Sequence, residues 1–436
     1  MFRVIGTALI ALIGLSADAI AQNNPAIDSS ARTRTVEDVA QQIEDNFYDS
    51  TRGAEIASEL RIALSERAFD GADDAASLSD LLTSRLRAHD NHFSVRYLGP
   101  PPERPGNDGP GQGQRINIDA LARANFGFQE VAILPGNVGY IDLRQFAPAQ
   151  VAGDTALAAL NFVANTDAVI FDVRNNGGGA PSMVQFLISH FLDPMDERPI
   201  NTFVSSARDY PSELMSLSWL PGQARPDVPL YVLTSGNTGS AGEAFPYHLQ
   251  AMERATIVGE TTYGAGNPGG LFPAGDGFAV FVSTGSARNP ITGTNWEGTG
   301  VIPDVETSSE AALNAALMLA YDAILETADD PGQRQSVEWA LEAARANANP
   351  MPMLPGDADA LAGTYGPRSI SIEDGRLYYR RGDGAPRRLT PVGEDRFLME
   401  GLDDARLTFQ RGPDGGVVSL TVDQLGRRAS VSPRTD

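Results

Sequence analysis

Two short segments of the sequence combine glycines with a residue type that can perform acyl transfer. The first, DVRNNGGGAP at 172–181, places three consecutive glycines after an apolar run. The second, TSGNTGSAGEAF at 234–245, places Ser240 at the start of a predicted helix. Glycines let backbone N–H groups approach a ligand, and a helix N-terminus favours negative charge. Together the two segments predict a serine nucleophile beside an oxyanion hole.

Each segment also has a simpler interpretation. Serine is a favoured helix N-cap whatever its chemistry, and consecutive glycines can cradle a phosphate. The sequence lacks the glycine spacings of nucleotide-binding loops, and it contains no lysine, since all 33 basic residues are arginine. Thr238 stands two residues before Ser240, where the nucleophile turn of α/β-hydrolases has glycine, so that motif is disfavoured.

A serine at neutral pH needs a nearby base, and the chain offers four histidines. His248 is eight residues along the helix from Ser240, about 12 Å at 1.5 Å per residue, which is too far. His190 is predicted near the end of a helix that leads away from the glycines. His89 and His92 therefore remain, and these observations do not choose between them.

The region from about 119 to 325 predicts an α/β fold with a parallel sheet. Buried-strand patterns alternate with helical patterns along it, at 138–143, 153–165, 168–173, 181–192, 229–233, 241–252 and 256–258. Both glycine-containing segments follow the carboxyl ends of predicted strands, the edge at which ligand sites of parallel sheets lie. This topology predicts that the three glycines face Ser240.

Composition divides the rest of the chain. We expect, in order, a signal peptide at 1–21, a disordered linker at 22–34, a helical domain at 35–98, a Pro- and Gly-rich linker at 99–118, the α/β core at 119–330, a linker at 331–350 and an all-β domain at 351–436. Asp-Gly turns at 374–375 and 414–415 indicate the hairpins of that last domain.

The N-terminus and the net charge bear on location and partners. Arg3 precedes an apolar stretch, and Ala19-Ile20-Ala21 is typical of a signal-peptide cleavage site, which predicts a secreted or periplasmic protein cleaved after Ala21. A membrane anchor is disfavoured because spanning needs about 20 apolar residues, so we expect no span in the mature chain. The net charge of -23 argues against nucleic acid as a partner. Cysteine is absent, which excludes disulfides and a thiol nucleophile.

Taken together, the motifs resemble the carboxyl-terminal-processing, or tail-specific, serine peptidases. DVRNNGGG at 172–179 is similar to their DLRxNxGG segment, and VLTSGNTGSAGEAF at 232–245 is similar to their nucleophile helix. One branch of that family uses a Ser–Lys dyad, with the lysine in a segment similar to GETTYGAG at 259–266. Ala265 stands at the place of that lysine. Because the chain contains no lysine at all, the dyad is excluded.

The other branch, similar to the tricorn core and to the modules of interphotoreceptor retinoid-binding protein, uses histidine and glutamate. By this resemblance HDNHFSVRY at 89–97 supplies His92 as the base, and NWEGTGVIPD at 295–304 supplies Glu297 as the residue that orients it. The resemblance implies a ClpP/crotonase-like core with a mixed, largely parallel sheet, preceded by a small helical domain and followed by a small all-β domain.

The resulting hypothesis is an exported Ser-His-Glu peptidase that cleaves peptides or unfolded proteins, near the C-termini of proteins or within peptides. Ser240 attacks the scissile carbonyl, and the backbone N–H groups of Gly178 and Ala241 hold the oxyanion, with Gly177 as the other glycine candidate. No metal or cofactor is required. Two further carboxylates, Asp172 and Glu260, are interpreted as structural neighbours of the sheet edge.

A protein of another class is the alternative. The retinoid-binding relatives imply that this fold can also bind an apolar ligand or a peptide without hydrolysing it. Such a protein needs an apolar cleft, and its serine and histidine need not interact. The presence of Ser240, His92 and Glu297 together favours the enzyme.

Overall fold

The computed structural model describes residues 24–99, 117–205, 211–353 and 355–436. The predicted signal peptide and most of the Pro- and Gly-rich linker lie outside these ranges. In chain order the elements are α1 (Ser29–Asn46), α2 (Ser50–Ser65), α3 (Ala75–Leu86), β1 (Ser94–Tyr97), α4 (Ile118–Arg123), β2 (Phe128–Leu134), β3 (Val138–Leu143), α5 (Ala149–Phe162), β4 (Ala168–Asp172), α6 (Pro181–Ser189), β5 (Pro199–Ser205), β6 (Ser212–Met215), β7 (Leu230–Thr234), α7 (Ala241–Ala251), β8 (Thr256–Gly259), β9 (Gly269–Pro273), β10 (Phe278–Ser283), β11 (Gly285–Arg288), β12 (Val305–Glu306), α8 (Ala312–Thr327), α9 (Pro331–Ala348), α10 (Pro355–Leu361), β13 (Gly363–Tyr365), β14 (Arg368–Glu373), β15 (Arg376–Arg381), β16 (Arg387–Pro391), β17 (Arg396–Met399), β18 (Leu402–Arg411), β19 (Val417–Gln424) and β20 (Ser430–Pro433). Within the described ranges, no helix is both long and apolar enough to cross a membrane.

The chain divides into two compact units, each discontinuous in sequence. The first, called the N-terminal unit, holds the described residues up to 99 with those of 201–213 and 265–298. The second, called the sheet unit, holds the described residues of 116–200, 214–264 and 299–436. The prediction of one uninterrupted core at 119–330 is therefore wrong, because 201–213 and 265–298 belong to the N-terminal unit and the second of these stretches packs with its helices.

The N-terminal unit packs α1, α2 and α3 around one apolar core that also includes β1 and β10. Helix α1 begins at Ser29, where the Asp28 side chain accepts a hydrogen bond from Ala31 N–H. Residues 29–34 are thus helical, which corrects their assignment to a disordered linker. β1 pairs antiparallel with β10, and β10 pairs with β9. These pairings join the strand that follows His92 to a segment far along the chain.

The sheet unit is built on a six-stranded sheet with the strand order β12-β8-β7-β4-β3-β2. Neighbouring strands from β3 to β12 run parallel, and β2 runs antiparallel to β3. The prediction of a mixed, largely parallel sheet is confirmed. Such a sheet needs helices on both faces because both faces are apolar.

Alternate residues of each strand serve the two faces of this sheet. In β4, Val169 and Phe171 pack in a core with α5, α6 and α7, whereas Ala168 and Ile170 pack in a second core with α8 and α9. All five residues of β4 are buried, and the first four, Ala168 to Phe171, form a continuous apolar run in the sequence. The carboxyl ends of β4 and β7 lead into the two glycine-containing segments.

The segment 331–350 is a helix and not the predicted linker. Asp330 caps α9 by accepting a hydrogen bond from Gln333 N–H, and Pro331 occupies the first turn. One face of α9 is buried. Its residues Val337 and Leu341 lie in the same apolar core as residues of α8. The many charged and amide residues on its other face explain why the segment resembles a linker.

The all-β prediction for 351–436 is confirmed except for the short helix α10. Strands β13 to β20 form an antiparallel sheet in which each strand pairs with the next in sequence. The turn at Asp374-Gly375 joins β14 to β15 with positive φ at both residues, as two-residue hairpins require. Thr435 N–H donates to Thr364 O at 2.9 Å, which joins the chain after β20 to β13.

Candidate active site

The N-terminal unit gathers a histidine and two carboxylates in one cluster, called the histidine cluster: Asp90, His92 and Glu297. His92 lies in the turn before β1, and Glu297 lies in the turns that follow β11. His92 Nδ1 is 3.5 Å from Glu297 Oε2 and 3.8 Å from Asp90 Oδ1. The imidazole also stacks on Phe281 of β10, with ring centroids 5.7 Å apart. The structure thus brings two of the predicted site residues, His92 and Glu297, into contact.

Backbone N–H groups fix the carboxylate of Glu297. Oε1 accepts from Asn91 N–H at 2.9 Å, and Oε2 accepts from the N–H groups of Gly266 and Asn267 at 2.6 and 3.0 Å. Burial by itself raises the pKa of Glu297, but the interaction with His92 and these N–H groups outweigh it, so the pKa lies below its ordinary value. Glu297 is therefore an anion that faces the imidazole at neutral pH.

Asp90 is a member of the cluster that the sequence analysis missed. Its residue is 3% exposed, Oδ1 accepts from His92 N–H at 2.8 Å, and Oδ2 accepts from the Asn267 side chain at 3.1 Å. Burial and the nearby charge of Glu297 raise the pKa of Asp90, although these hydrogen bonds oppose the rise. The Asp-x-His spacing, typical of a side chain that bonds the backbone two residues on, was the available signal.

The other three histidines make different contacts. His89 Nδ1 is 2.8 Å from Arg52 Nη2, and His89 Nε2 is 3.2 Å from Glu59 Oε2. Both ring nitrogens of His190 contact backbone carbonyl oxygens. His248 is buried inside α7, and this burial lowers its pKa to about 3. His92 thus has a carboxylate held by backbone N–H groups beside its ring, whereas the described contacts of His89 and His190 are of other kinds.

In the sheet unit, Ser240 stands directly before α7 with an unusual backbone conformation. Its φ of 54° and ψ of -121° lie in a region that is otherwise used by glycine. Such a conformation costs about 1–3 kcal/mol in a residue with a Cβ atom, and it is found at functional sites. The same type of sharp turn exposes the serine of α/β-hydrolases. The strained turn is thus present although Thr238 replaces the first glycine of that motif.

The glycine loop after β4 packs directly against this turn. A Cβ atom on Gly178, whose φ is 119°, would lie 2.9 Å from Ser240 Cβ. Asn176, which is fully buried, joins the two loops, because its carbonyl oxygen accepts from Gly239 N–H at 2.9 Å. Its side chain donates to Leu143 O at 2.8 Å. Of the three glycines predicted to face Ser240, Gly178 therefore lies against it, whereas Gly179 packs against the backbone of Phe146.

Glu243, three residues after Ser240, is a second site residue that sequence reasoning missed. It is 0% exposed. Its Oε2 accepts from Ser240 N–H at 2.8 Å, and its Oε1 accepts from the Thr262 hydroxyl at 2.5 Å and from Gly264 N–H at 2.6 Å. The Ser-x-x-Glu spacing of a capping box was the available signal.

The three predicted oxyanion donors differ in their present partners. Gly178 N–H donates a hydrogen bond to Asn176 Oδ1 at 2.9 Å. Across the described residues, neither Gly177 N–H nor Ala241 N–H forms a hydrogen bond. Gly177 is exposed and Gly178 is buried. The geometry therefore favours Gly177 over Gly178 as the glycine whose N–H can reach a ligand.

The histidine cluster has the donor types of a metal site, and one ligand atom from each residue lies within 4.8 Å of the others. The oxygen atoms are already engaged, however. Both oxygens of Glu297 accept backbone N–H groups, and both oxygens of Asp90 accept hydrogen bonds. A cation would have to displace these donors, so the cluster fits the orientation of an imidazole better than the binding of a metal ion.

Asp172 and Glu260 have structural contacts, in agreement with their interpretation. Asp172 is buried and pairs with Arg174 at 2.5 Å, and it accepts from the Tyr140 hydroxyl at 2.7 Å. Burial opposes ionisation of Asp172, but these contacts hold its pKa below the ordinary value. Glu260 Oε1 accepts from Ser309 N–H at 2.9 Å.

Residues 137–307 match the model of peptidase family S41. A carboxyl-terminal-processing protease of Synechocystis sp. is 30% identical over 227 residues, which cover 51% of this chain and 49% of that protein. A carboxy-terminal-processing protease of Bartonella bacilliformis is 27% identical over 174 residues, covering 39% of this chain and 38% of that one. The chain thus spans about half or less of the length of these curated relatives.

Among solved structures, a putative peptidase from Parabacteroides merdae aligns over 67% of this chain and 97% of its own, with 18% identity and a TM-score of 0.47. The predicted resemblance to the tail-specific peptidases is confirmed for the part of the sequence that matches the family model. That part contains the glycine loop, Ser240 and Glu297, whereas His92 lies before it.

Proposed function

We propose that this chain, which matches peptidase family S41 over 137–307, is a serine peptidase with Ser240 as its nucleophile. One observation carries the proposal: Ser240 stands before α7 in a strained turn, directly against a glycine loop. A serine that served only as a helix cap would gain nothing from the strain. A nucleophile gains an exposed hydroxyl beside the backbone N–H groups of a helix start.

In the proposed reaction, the Ser240 hydroxyl oxygen attacks the carbonyl carbon of a peptide bond, and His92 removes the hydroxyl proton. His92 must come within hydrogen-bond reach of that hydroxyl for this step. His92 then gives the proton to the leaving amine, and a water molecule hydrolyses the acyl-enzyme by the reverse sequence. Glu297, which is anionic and faces Nδ1, stabilises the imidazolium that forms.

The negative charge on the carbonyl oxygen needs donors that are not already in use. Ala241 N–H lies at the first position of α7, where helix N–H groups have no partner in the helix. We assign Ala241 N–H and a glycine-loop N–H to the oxyanion, with Gly177 preferred. Gly178 then shapes the loop through its positive φ and its bond to Asn176.

The substrate class and the location extend the proposal further. The names of both curated relatives refer to processing at carboxyl termini, and we propose peptide or unfolded protein substrates cleaved near a free C-terminus. We also propose export, on the basis of Arg3, the apolar stretch after it and the Ala19-Ile20-Ala21 site.

The decisive experiment treats the purified mature protein with a fluorophosphonate probe and locates the adduct by mass spectrometry. We expect modification of Ser240, and loss of both labelling and peptide cleavage in Ser240→Ala. Ser308→Ala is the matched control, because Ser308 lies before helix α8 and its hydroxyl accepts a hydrogen bond from Ala311 N–H. It should behave as the parent does.

Peptides with free and amidated C-termini test the substrate class. Faster cleavage of the free form supports C-terminal processing, and equal cleavage indicates a general endopeptidase. If no peptide is cleaved and Ser240 resists the probe, the chain is better described as a non-catalytic binding protein on the same fold.

A further inference from the structure

We infer that Glu243 is a positioning residue that holds Ser240 in its strained, reactive conformation. The inference rests on the proposed function of Ser240 as nucleophile. It concerns a residue that does not touch the scissile bond in the proposed reaction, and that acts through the backbone of the serine.

The hydrogen bonds of Glu243 tie the serine turn to a second loop. Its Oε2 accepts from Ser240 N–H at 2.8 Å. Its Oε1 accepts from Gly264 N–H at 2.6 Å and from the Thr262 hydroxyl at 2.5 Å, both in the loop after β8. Because the carboxylate is 0% exposed, water does not compete for these donors. The serine turn is thereby fixed to a neighbouring loop.

Ser240 needs such a restraint because its conformation is unfavourable. With φ at 54° and ψ at -121°, a serine relaxes to a common backbone region unless its surroundings prevent it. The N–H group of Ser240 is the part of the turn that Glu243 holds. Release of this N–H would let the backbone rotate, and the hydroxyl oxygen would move with it. A displacement of about 1 Å can cost on the order of 10²-fold in rate.

The same contact also determines which N–H groups can serve the oxyanion. Ser240 N–H is occupied by Glu243, and Gly178 N–H is occupied by Asn176. The N–H groups of Ala241 and Gly177 remain without a hydrogen-bond partner in the described part of the chain. Glu243 therefore directs the serine turn so that the following N–H, and not the serine's own, is available.

Glu243→Gln is the informative substitution because it preserves shape. Glutamine offers one carbonyl oxygen, whereas Glu243 accepts hydrogen bonds on both oxygens. The orientation that keeps the two donors from Thr262 and Gly264 turns the amide NH₂ towards Ser240 N–H. Two donors then face each other, and the serine turn loses its restraint.

Thr262 provides a second and milder test. Its hydroxyl donates to Glu243 and accepts from Val301 N–H at 2.7 Å. Thr262→Val keeps the shape but removes both bonds, so the Glu243 carboxylate loses one of its anchors. Thr262→Ser keeps the hydroxyl and serves as the matched control. Glu326→Gln, at an exposed position on α8, controls for loss of a glutamate charge.

The experiment measures kcat, KM and the rate of fluorophosphonate labelling at Ser240, with thermal unfolding as the measure of folding. We expect Glu243→Gln to lower kcat and the labelling rate together by about 10²-fold, with KM nearly unchanged. Thr262→Val should lower both by about ten-fold. Thr262→Ser and Glu326→Gln should match the parent. A purely structural role would lower the unfolding temperature and leave kcat per folded molecule unchanged.

The outcomes separate this inference from the proposed function. If the parent is labelled and active, and folded Glu243→Gln and Thr262→Val keep its kcat, the positioning role is overturned while Ser240 remains the nucleophile. If Glu243→Gln does not fold, Thr262→Val against Thr262→Ser decides the question. If the parent itself is neither labelled at Ser240 nor active, the proposed function fails, and the positioning role fails with it.

Discussion

His92 Nδ1 and Glu297 Oε2 lie 3.5 Å apart in the N-terminal unit, although the two residues are far apart in the sequence. β1, which follows His92, pairs with β10, and the chain from β10 continues through β11 to Glu297. The contact therefore depends on the antiparallel pairing of strands from distant segments. It joins a base candidate to an anionic carboxylate that is held by three backbone N–H groups.

Removal of the proposed base should abolish most of the activity. His92→Ala is expected to lower kcat by on the order of 10³-fold or more, because the base and the nucleophile act as a unit. His89→Ala is the matched control: His89 is already engaged with Arg52 and Glu59. Both variants are assayed on one cleavable peptide. A parent-like rate in His92→Ala, with loss of activity in His89→Ala, would assign the base to the other histidine.

Loss of the orienting charge should be less severe than loss of the base. Glu297→Gln keeps the size of the side chain but removes the charge that stabilises the imidazolium, so kcat should fall on the order of 10²-fold. Glu260→Gln, which alters a carboxylate bonded only to Ser309 N–H in the described structure, should stay near the parent. If Glu297→Gln keeps the same kcat as the Glu260→Gln control, the charge of Glu297 has no part in the reaction.

A side chain should be tolerated at Gly239, which precedes Ser240, and not at Gly178 of the glycine loop. Gly178→Val places a side chain at a φ of 119° and against Ser240 Cβ, so kcat should fall by about 10²-fold or more. Gly239→Ala is the control, because the nearest atom to its new Cβ is 3.7 Å away, an ordinary contact distance. Steady-state kinetics and thermal unfolding are compared. Normal kcat in a folded Gly178→Val would limit these glycines to packing.

His248 should make the folded protein sensitive to acid. Burial lowers its pKa from 6.5 to about 3, so between these values the unfolded chain binds a proton that the folded chain does not. The free energy of unfolding should therefore decrease on acidification from about pH 6.5, by up to about 1.4 kcal/mol per pH unit from this residue.

His248→Gln removes this titration. Urea unfolding at several pH values should show a flatter pH dependence below 6.5 in His248→Gln than in the parent, while kcat stays within a few-fold because His248 is distant from Ser240 along α7. Parallel curves for the two proteins would contradict the burial effect.

Chelation should leave catalysis unchanged. The oxygens of Asp90 and Glu297 are occupied by hydrogen-bond donors, which leaves the histidine cluster no ready ligand set. Peptide cleavage is measured after dialysis against EDTA and after addition of zinc or magnesium. Loss of activity that a metal restores would instead make the cluster a metal site.

Much of the fold could be predicted from local patterns. The first four residues of β4 are all apolar because both faces of the sheet are covered, and the Asp-Gly turn at 374–375 requires a positive φ that few residues allow. The segment 331–350 is harder to recognise as a helix because the polar face of α9 masks a narrow apolar stripe. Such a stripe is a weak signal because few apolar residues carry it among many charged and amide side chains.

By itself, the sequence determined the glycine loop, the serine at a helix start, the absence of lysine and thus of a Ser–Lys dyad, and the resemblance that singled out His92 and Glu297. Only the tertiary structure decided that Asp90 joins His92, that Glu243 holds Ser240, and that Asn176 engages Gly178 N–H. Each of these contacts is local in sequence, but residues from distant segments fix the side chains: Asn267 also bonds Asp90, and Thr262 and Gly264 also bond Glu243. The physical reason is that a hydrogen bond takes its partner from whichever group the fold brings within about 3 Å, and a local spacing such as Asp-x-His or Ser-x-x-Glu does not show which distant groups those will be.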